Sequence, residues 1–190
     1  MQTRFHLAAF VLGTLLSSVP VAASAQDAVL AAWKRNQVEF TYMGFTTLYT
    51  CDGLKGKVKS LLRHLGARDD MQVTMSGCEF QPGDIARLPR VRLDFHVPVP
   101  RESGTRDAGL PVPAEWKTLV IKRDEPRNLD VGDCELVEQF RDHVLPAFAT
   151  RQLTGQLSCV PHQLSGSRFN LRLQSLVALP SPDRTRARPR

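Results

Sequence analysis

An α+β fold is predicted by three features of this 190-residue chain. Stretches that alternate apolar and polar residues, as in Arg90–Val97 and Arg168–Val177, read as half-buried antiparallel strands. Two other stretches repeat their apolar residues at helical spacing, and each begins beside a cysteine, Cys51 or Cys134. Each is followed by a strand-like run that arrives at a second cysteine, Cys78 or Cys159. The pattern predicts an antiparallel-rich sheet with two main helices. It forms two pseudo-repeated strand–helix–strand–strand halves, about residues 37–98 and 115–179, each closed by a disulfide.

Met1 to Ala25 reads as a signal peptide. Arg4 supplies the positive start, Leu7 to Leu16 the apolar run, and Ala23-Ser24-Ala25 the small-residue cleavage site before Gln26. The apolar run is too short for a membrane span, and no later stretch approaches the ~20 apolar residues that a spanning helix needs. No cysteine follows the cleavage site, so a lipid anchor is not indicated. The expected mature protein is periplasmic or secreted after cleavage near Ala25, with residues 26–180 as a single α+β domain. Cleavage removes Arg4 alone and leaves 24 basic against 19 acidic side chains. Arg184, Arg186, Arg188 and Arg190 belong to a basic tail, residues 181–190, whose composition predicts disorder. The remaining domain is only mildly basic, which argues against a dedicated nucleic-acid binder.

In chain order, Val29, Leu30 and Trp33 share a helical face and predict a short helix within Asp27–Asn36. Val38, Phe40 and Tyr42 alternate as in a strand, and Met43-Gly44 reads either as the tight turn of a hairpin, which is favoured, or with Gly44 as a bulge in one long strand. From Asp52 to Gly66, the residues Leu54, Val58, Leu61, Leu62 and Leu65 form one apolar stripe. Asp52 is the expected cap, and Gly66 the expected left-handed end. Met71–Ser76 is a strand, Gln81–Asp84 a turn, and Pro98–Pro113 a proline-rich linker. Trp116–Lys122 then starts the second half. Its helix carries Leu136, Phe140, Val144 and Phe148, with Asp133 as expected cap and Pro146 as its end. Gln152–Ser158 and Arg168–Val177 complete it.

Cysteine pairing follows from lengths. A helix from Cys51 to Gly66 descends ~22 Å, and a strand from Met71 to Cys78 climbs ~23 Å back. The second half gives ~22 Å down and ~20 Å back, so Cys51 pairs with Cys78 and Cys134 with Cys159. An exported chain with four cysteines fits a disulfide framework. The competing reading takes Cys51 and Cys134, at helix N-termini, as reactive thiols. Neither lies in a Cys-x-x-Cys pair, and neighbouring Asp52 and Glu135 oppose a thiolate.

No other chemistry is gathered in the sequence. His64, His96, His143 and His162 are scattered, and no zinc or His-Glu-x-x-His motif joins them, so neither metal nor cofactor is expected. Ser165-Gly166-Ser167 lacks the nucleophile-elbow pattern. Asp69-Asp70 and Asp124-Glu125 lie in turn-like segments. No catalytic residue is assigned. The outer face of the first helix carries Lys55, Lys57, Lys59, Arg63 and His64, a solvated face or, around Lys55, Lys59 and Arg63, a docking surface for an anion.

The run Tyr49-Thr-Cys-Asp-Gly-Leu54, with Gly77-Cys78, Trp116-Lys117, Gly132-Asp-Cys-Glu-Leu136 and Cys159, resembles an uncharacterised group of exported proteobacterial proteins. The resemblance spans most of the mature chain. It implies a periplasmic address and attaches no activity. The expected function is therefore a non-enzymatic periplasmic binding or accessory protein, whose partner is another periplasmic protein or an anionic envelope component. The alternative is a thiol- or metal-handling protein built on the four cysteines.

Overall fold

Val91, Leu93, Phe95 and Val97 alternate with polar residues along one strand, and all four are fully buried. That strand sits next to the edge of a six-stranded antiparallel sheet. The computed structural model describes residues 28–78, 85–101 and 110–180. Its elements are β1 (Val29–Thr41), β2 (Tyr49–Thr50), α1 (Cys51–His64), β3 (Gln72–Ser76), β4 (Ile85–Ala86), β5 (Arg90–Pro100), β6 (Val112–Lys122), α2 (Cys134–His143), β7 (Thr150–Ser158) and β8 (Arg168–Ala178). The main sheet runs β3-β5-β1-β6-β8-β7, and β2 pairs with β4 in a small second sheet.

The order shows the repeat directly. The sheet reads β3-β5-β1 in one half and β6-β8-β7 in the other, mirrored about the contact of β1 with β6. That contact is short, joining Val29–Ala31 to Val112–Ala114. Both predicted disulfides are present, Cys51–Cys78 with Cα atoms 6.0 Å apart and Cys134–Cys159 with 5.6 Å. The fold is α+β, with two helices and a mostly antiparallel sheet.

Both helices contribute to one contiguous core. α1 buries Leu54, Val58, Leu61 and Leu62, and α2 buries Leu136, Val137 and Phe140. They meet the sheet-face residues Phe40, Val73, Leu93, Phe95, Leu119, Ile121, Leu171 and Leu173. Burying a side chain of this size contributes about 1.5–3 kcal/mol. Ser175, also buried, donates from Oγ to the Leu65 carbonyl at 2.7 Å and ties the end of α1 to β8.

Five expectations are corrected. Residues from Val29 onward form β1, a strand rather than a helix, because β5 pairs with it continuously from Ala31 to Thr41. Met43-Gly44 is not a hairpin turn: the strand that follows, β2, pairs with β4 instead of returning along β1. The N-cap of α1 is Thr50, whose Oγ1 accepts from the Gly53 N–H at 3.1 Å, and Asp52 lies inside the helix. The Asp133 side chain makes no capping bond to α2. The linker is shorter at both ends, since β5 reaches Pro100 and β6 begins at Val112. Gly66 does take a left-handed conformation after α1, with φ +95°. The signal peptide, the Gln81–Asp84 turn and the 181–190 tail lie outside the described residues.

β7 holds a bulge between Arg151 and Thr154, and Gly155 follows with φ +114°. A Cβ on Gly155 would stand 2.0 Å from the Asn170 carbonyl oxygen. Gly155→Ala is expected to destabilise the protein by about 2 kcal/mol, through backbone strain and this clash. A denaturant midpoint unchanged from wild type would refute the assignment.

Candidate functional site

Because strand side chains alternate, covering one face of the sheet with helices leaves every second residue on the other face. That second face is bare among the described residues. In the first half it presents Arg35, Gln37 and Glu39 from β1, Gln72 and Thr74 from β3, and Arg90, Arg92 and Asp94 from β5. In the second half it presents Thr118 from β6, Arg151 and Thr154 from β7, and Arg168, Asn170, Arg172 and Gln174 from β8. Two shallow wells lie on this face. One, of ≈ 500 Å³, is lined by Gln37, Glu39, Gln72, Thr74, Arg92 and Asp94. The other, of ≈ 390 Å³, is lined by Thr118, Gln152, Thr154, Arg172 and Gln174.

The wells are counterparts under the repeat. Thr74 pairs with Arg92 and Thr154 with Arg172. In both, the threonine Oγ1 donates to the arginine carbonyl at 3.4 Å. Their electrostatics differ. In the first half every arginine on the face has a carboxylate. Arg35 Nε donates to Asp94 at 2.8 Å, Arg92 Nε to Glu39 at 2.9 Å, and Arg90 lies 3.4 Å from Glu39. The hydrogen bonds from Arg35 and then Gln37 hold the Asp94 carboxyl well below the usual carboxylate range. In the second half the position opposite Arg172 on β6 is Val120, where Arg92 faces Glu39, and Gln174 stands where the first half has Asp94. Arg151 lies over the Trp116 ring at 4.2 Å and donates to Gln174 at 2.6 Å. Arg168 and Arg172 have no carboxylate within salt-bridge distance among the described residues.

No protein-family model, curated protein or solved structure matches this chain.

The residues singled out from sequence fall elsewhere. Lys55, Lys59 and Arg63 lie four apart along α1, on the helix side of the sheet, and Arg63 Nε donates to Asp69 at 3.0 Å. The four cysteines are all paired and none is free. No group of three or more His, Cys, Asp or Glu side chains among the described residues is placed to hold a metal ion.

Sequence reasoning missed a buried polar cluster where the halves meet. Asp133 is 1% exposed. Its carboxylate accepts from the Tyr49 hydroxyl, from Lys57 Nζ at 2.6 Å and from the Asp130 N–H at 2.6 Å. Glu135, 4% exposed, accepts from the Phe45 N–H at 2.7 Å, the Thr46 N–H at 3.0 Å and the Thr46 hydroxyl at 3.1 Å. Among the described residues, no buried side-chain polar atom lacks a partner. These carboxylates are saturated by the protein itself, so the cluster is a structural joint.

The joint has a spectroscopic consequence. The chain has two tyrosines, Tyr42 and Tyr49, both buried, with rings 5.2 Å apart. Burial raises both phenol pKa values, and at Tyr49 the bond to Asp133 raises it further. A raised folded-state pKa gives stability that is complete below the unfolded value, about 10, and is lost as pH climbs above it. Tyrosinate absorbance is therefore expected to appear only together with alkaline unfolding. A titration near pH 10 in protein whose circular dichroism is still native would refute the burial of these hydroxyls.

Proposed function

We propose that this protein is an exported, non-enzymatic binding or accessory module that presents the bare face of its sheet to a periplasmic or secreted partner. The observation that carries this reading is the one-sided fold. Two helices cover one face, two disulfides fix the chain at the start of each, and the other face keeps two polar wells. A rigid sheet of this kind holds its side chains in place before a ligand arrives, which lowers the ordering cost of binding. The closed disulfides are compatible with an oxidising compartment. No helix among the described residues is long and apolar enough to cross a membrane. The leader-like residues 1–25 supply the export argument, and mature protein beginning at Gln26 is the expected result of N-terminal sequencing.

The basic stripe Lys55, Lys59 and Arg63 is the competing surface, and one experiment separates the two. A photo-crosslinking residue is placed at Thr74, at Thr154 or at Lys59 in the full chain, expressed with its leader. Adducts from Thr74 or Thr154 and none from Lys59 are the expected result. Adducts from Lys59 alone would move the site to α1, and none from any position would overturn the binding-module reading.

A further inference from the structure

The internal repeat offers its own control, because the same well is built twice with different charge. On the first half of the bare face, carboxylates answer the arginines. Asp94 takes Arg35, Glu39 takes Arg90 and Arg92, and Asp70 takes Arg68. On the second half, Arg151, Arg168 and Arg172 share the face with Thr118, Thr154, Gln156, Ser158, Asn170 and Gln174. None of these positions is acidic; Lys122, opposite Asn170 on the same face, has its own carboxylate in Glu125 at 3.5 Å, and Glu115 lies on the helix side of β6, opposite Val177. The surface therefore combines fixed positive charge with side-chain amides and hydroxyls, which donate and accept hydrogen bonds.

That composition selects among anions. A bare phosphate chain needs the arginines and gains little from a row of amides. A membrane surface would use a continuous exposed apolar patch, whereas the apolar residues of this part of the face, Trp116 and Val120, are half-buried and Arg151 lies over the Trp116 ring. A sugar chain bearing carboxylates uses both sets, with guanidinium forks meeting the carboxylates and amides and hydroxyls meeting the ring hydroxyls. Along β8, Arg168, Asn170, Arg172 and Gln174 present these groups at every second residue, a repeat of ~6.6 Å that suits an extended polymer lying along the strand.

We propose that the second half of the bare face, centred on Arg172, binds an acidic polysaccharide through its uronate carboxylates. Arg168 and Arg172 are the charge contacts, and Gln152, Asn170 and Gln174 are the hydroxyl contacts. The proposal rests on the reading of the bare face as the binding surface.

The test uses the disulfide-intact mature chain and an oligouronate of six to ten sugars as probe, by calorimetry at low salt. The methyl-esterified oligomer, inorganic polyphosphate and a glutamate-rich peptide are the comparisons. Expected results are binding of the oligouronate, loss of it on methyl esterification, and at least a tenfold weakening in Arg172→Gln and Arg168→Gln. Asn170→Leu and Gln152→Leu should weaken the oligouronate several-fold and leave polyphosphate unaffected. All four positions are exposed, and circular dichroism checks that each variant folds. Polyphosphate or the peptide binding as tightly, with the amide changes neutral, would overturn the sugar assignment and leave a charge-only surface. No oligouronate binding, alongside cellular crosslinks from Thr154, would sink the ligand class and spare the bare-face reading. No binding and no crosslinks would sink both.

Discussion

Replacing Asp133 by alanine is expected to cost about 3–5 kcal/mol of stability, because it breaks a buried ion pair from one side. The lost carboxylate holds three donors at once, the Tyr49 hydroxyl, Lys57 Nζ and the Asp130 N–H. In the variant, the Lys57 ammonium, whose side chain is only 21% exposed, keeps just the Asn128 carbonyl at 2.7 Å. The Tyr49 hydroxyl keeps only the neighbouring Tyr42 hydroxyl. Leaving buried donors unsatisfied is what makes the change severe, since a complete buried pair contributes little beyond its own desolvation. Asp133→Asn, which keeps an oxygen acceptor and loses the charge, should fall between alanine and wild type. Lys57→Met combined with Asp133→Leu should recover most of the loss, because no lone charge is then stranded. Urea unfolding of the disulfide-intact proteins checks all three. A loss below about 1 kcal/mol in Asp133→Ala would mean that the joint between the halves does not depend on this carboxylate.

The repeat was legible in the sequence because its signals are local. The apolar stripe from Leu54 to Leu65, the alternation from Val91 to Val97, and the helix-then-strand lengths between paired cysteines each involve neighbouring residues. What could not be read depends on partners far along the chain. β1 opens with Val29, Leu30 and Trp33 at helical spacing, yet it runs between β5 and β6, and pairing overrides that local pattern. The four successive polar residues Lys34 to Gln37 interrupt the alternation that Val38 and Phe40 resume, so the strand signal does not reach back to Val29. Asp133 has the local position of a helix cap, and only the approach of Lys57, 76 positions earlier, shows its role. The bare face was invisible for the same reason. Arg92, Glu39 and Thr74 lie on three strands, and nothing in their sequence spacing brings them together. The one available clue was the matching polar alternation of Arg90–Val97 and Arg168–Val177. Asp94 lies in the first of these and Gln174 in the second, where the charge differs.

Removing the Cys134–Cys159 bridge is expected to be more damaging than removing Cys51–Cys78, although their loops are nearly equal. With sequence separations of 27 and 25, loop entropy alone gives about 3.5 kcal/mol for each. Burial breaks the tie. Cys134 is 2% exposed and belongs to the core, with Cys159 packed against it, whereas Cys78 is exposed. Paired alanine replacement at Cys134 and Cys159 should therefore cost about 1 kcal/mol more, from lost packing. The second bridge also starts α2 immediately after Asp133, so releasing it frees the backbone that aims the Asp133 carboxylate. Combining Cys134→Ala and Cys159→Ala with Asp133→Ala should then cost less than the sum of the separate losses, while Cys51→Ala and Cys78→Ala should come closer to additivity. Equal losses for both bridges and simple additivity throughout would mean that the disulfides act only on the unfolded chain. The expected inequality would place the second bridge and the buried carboxylate in one cooperative joint.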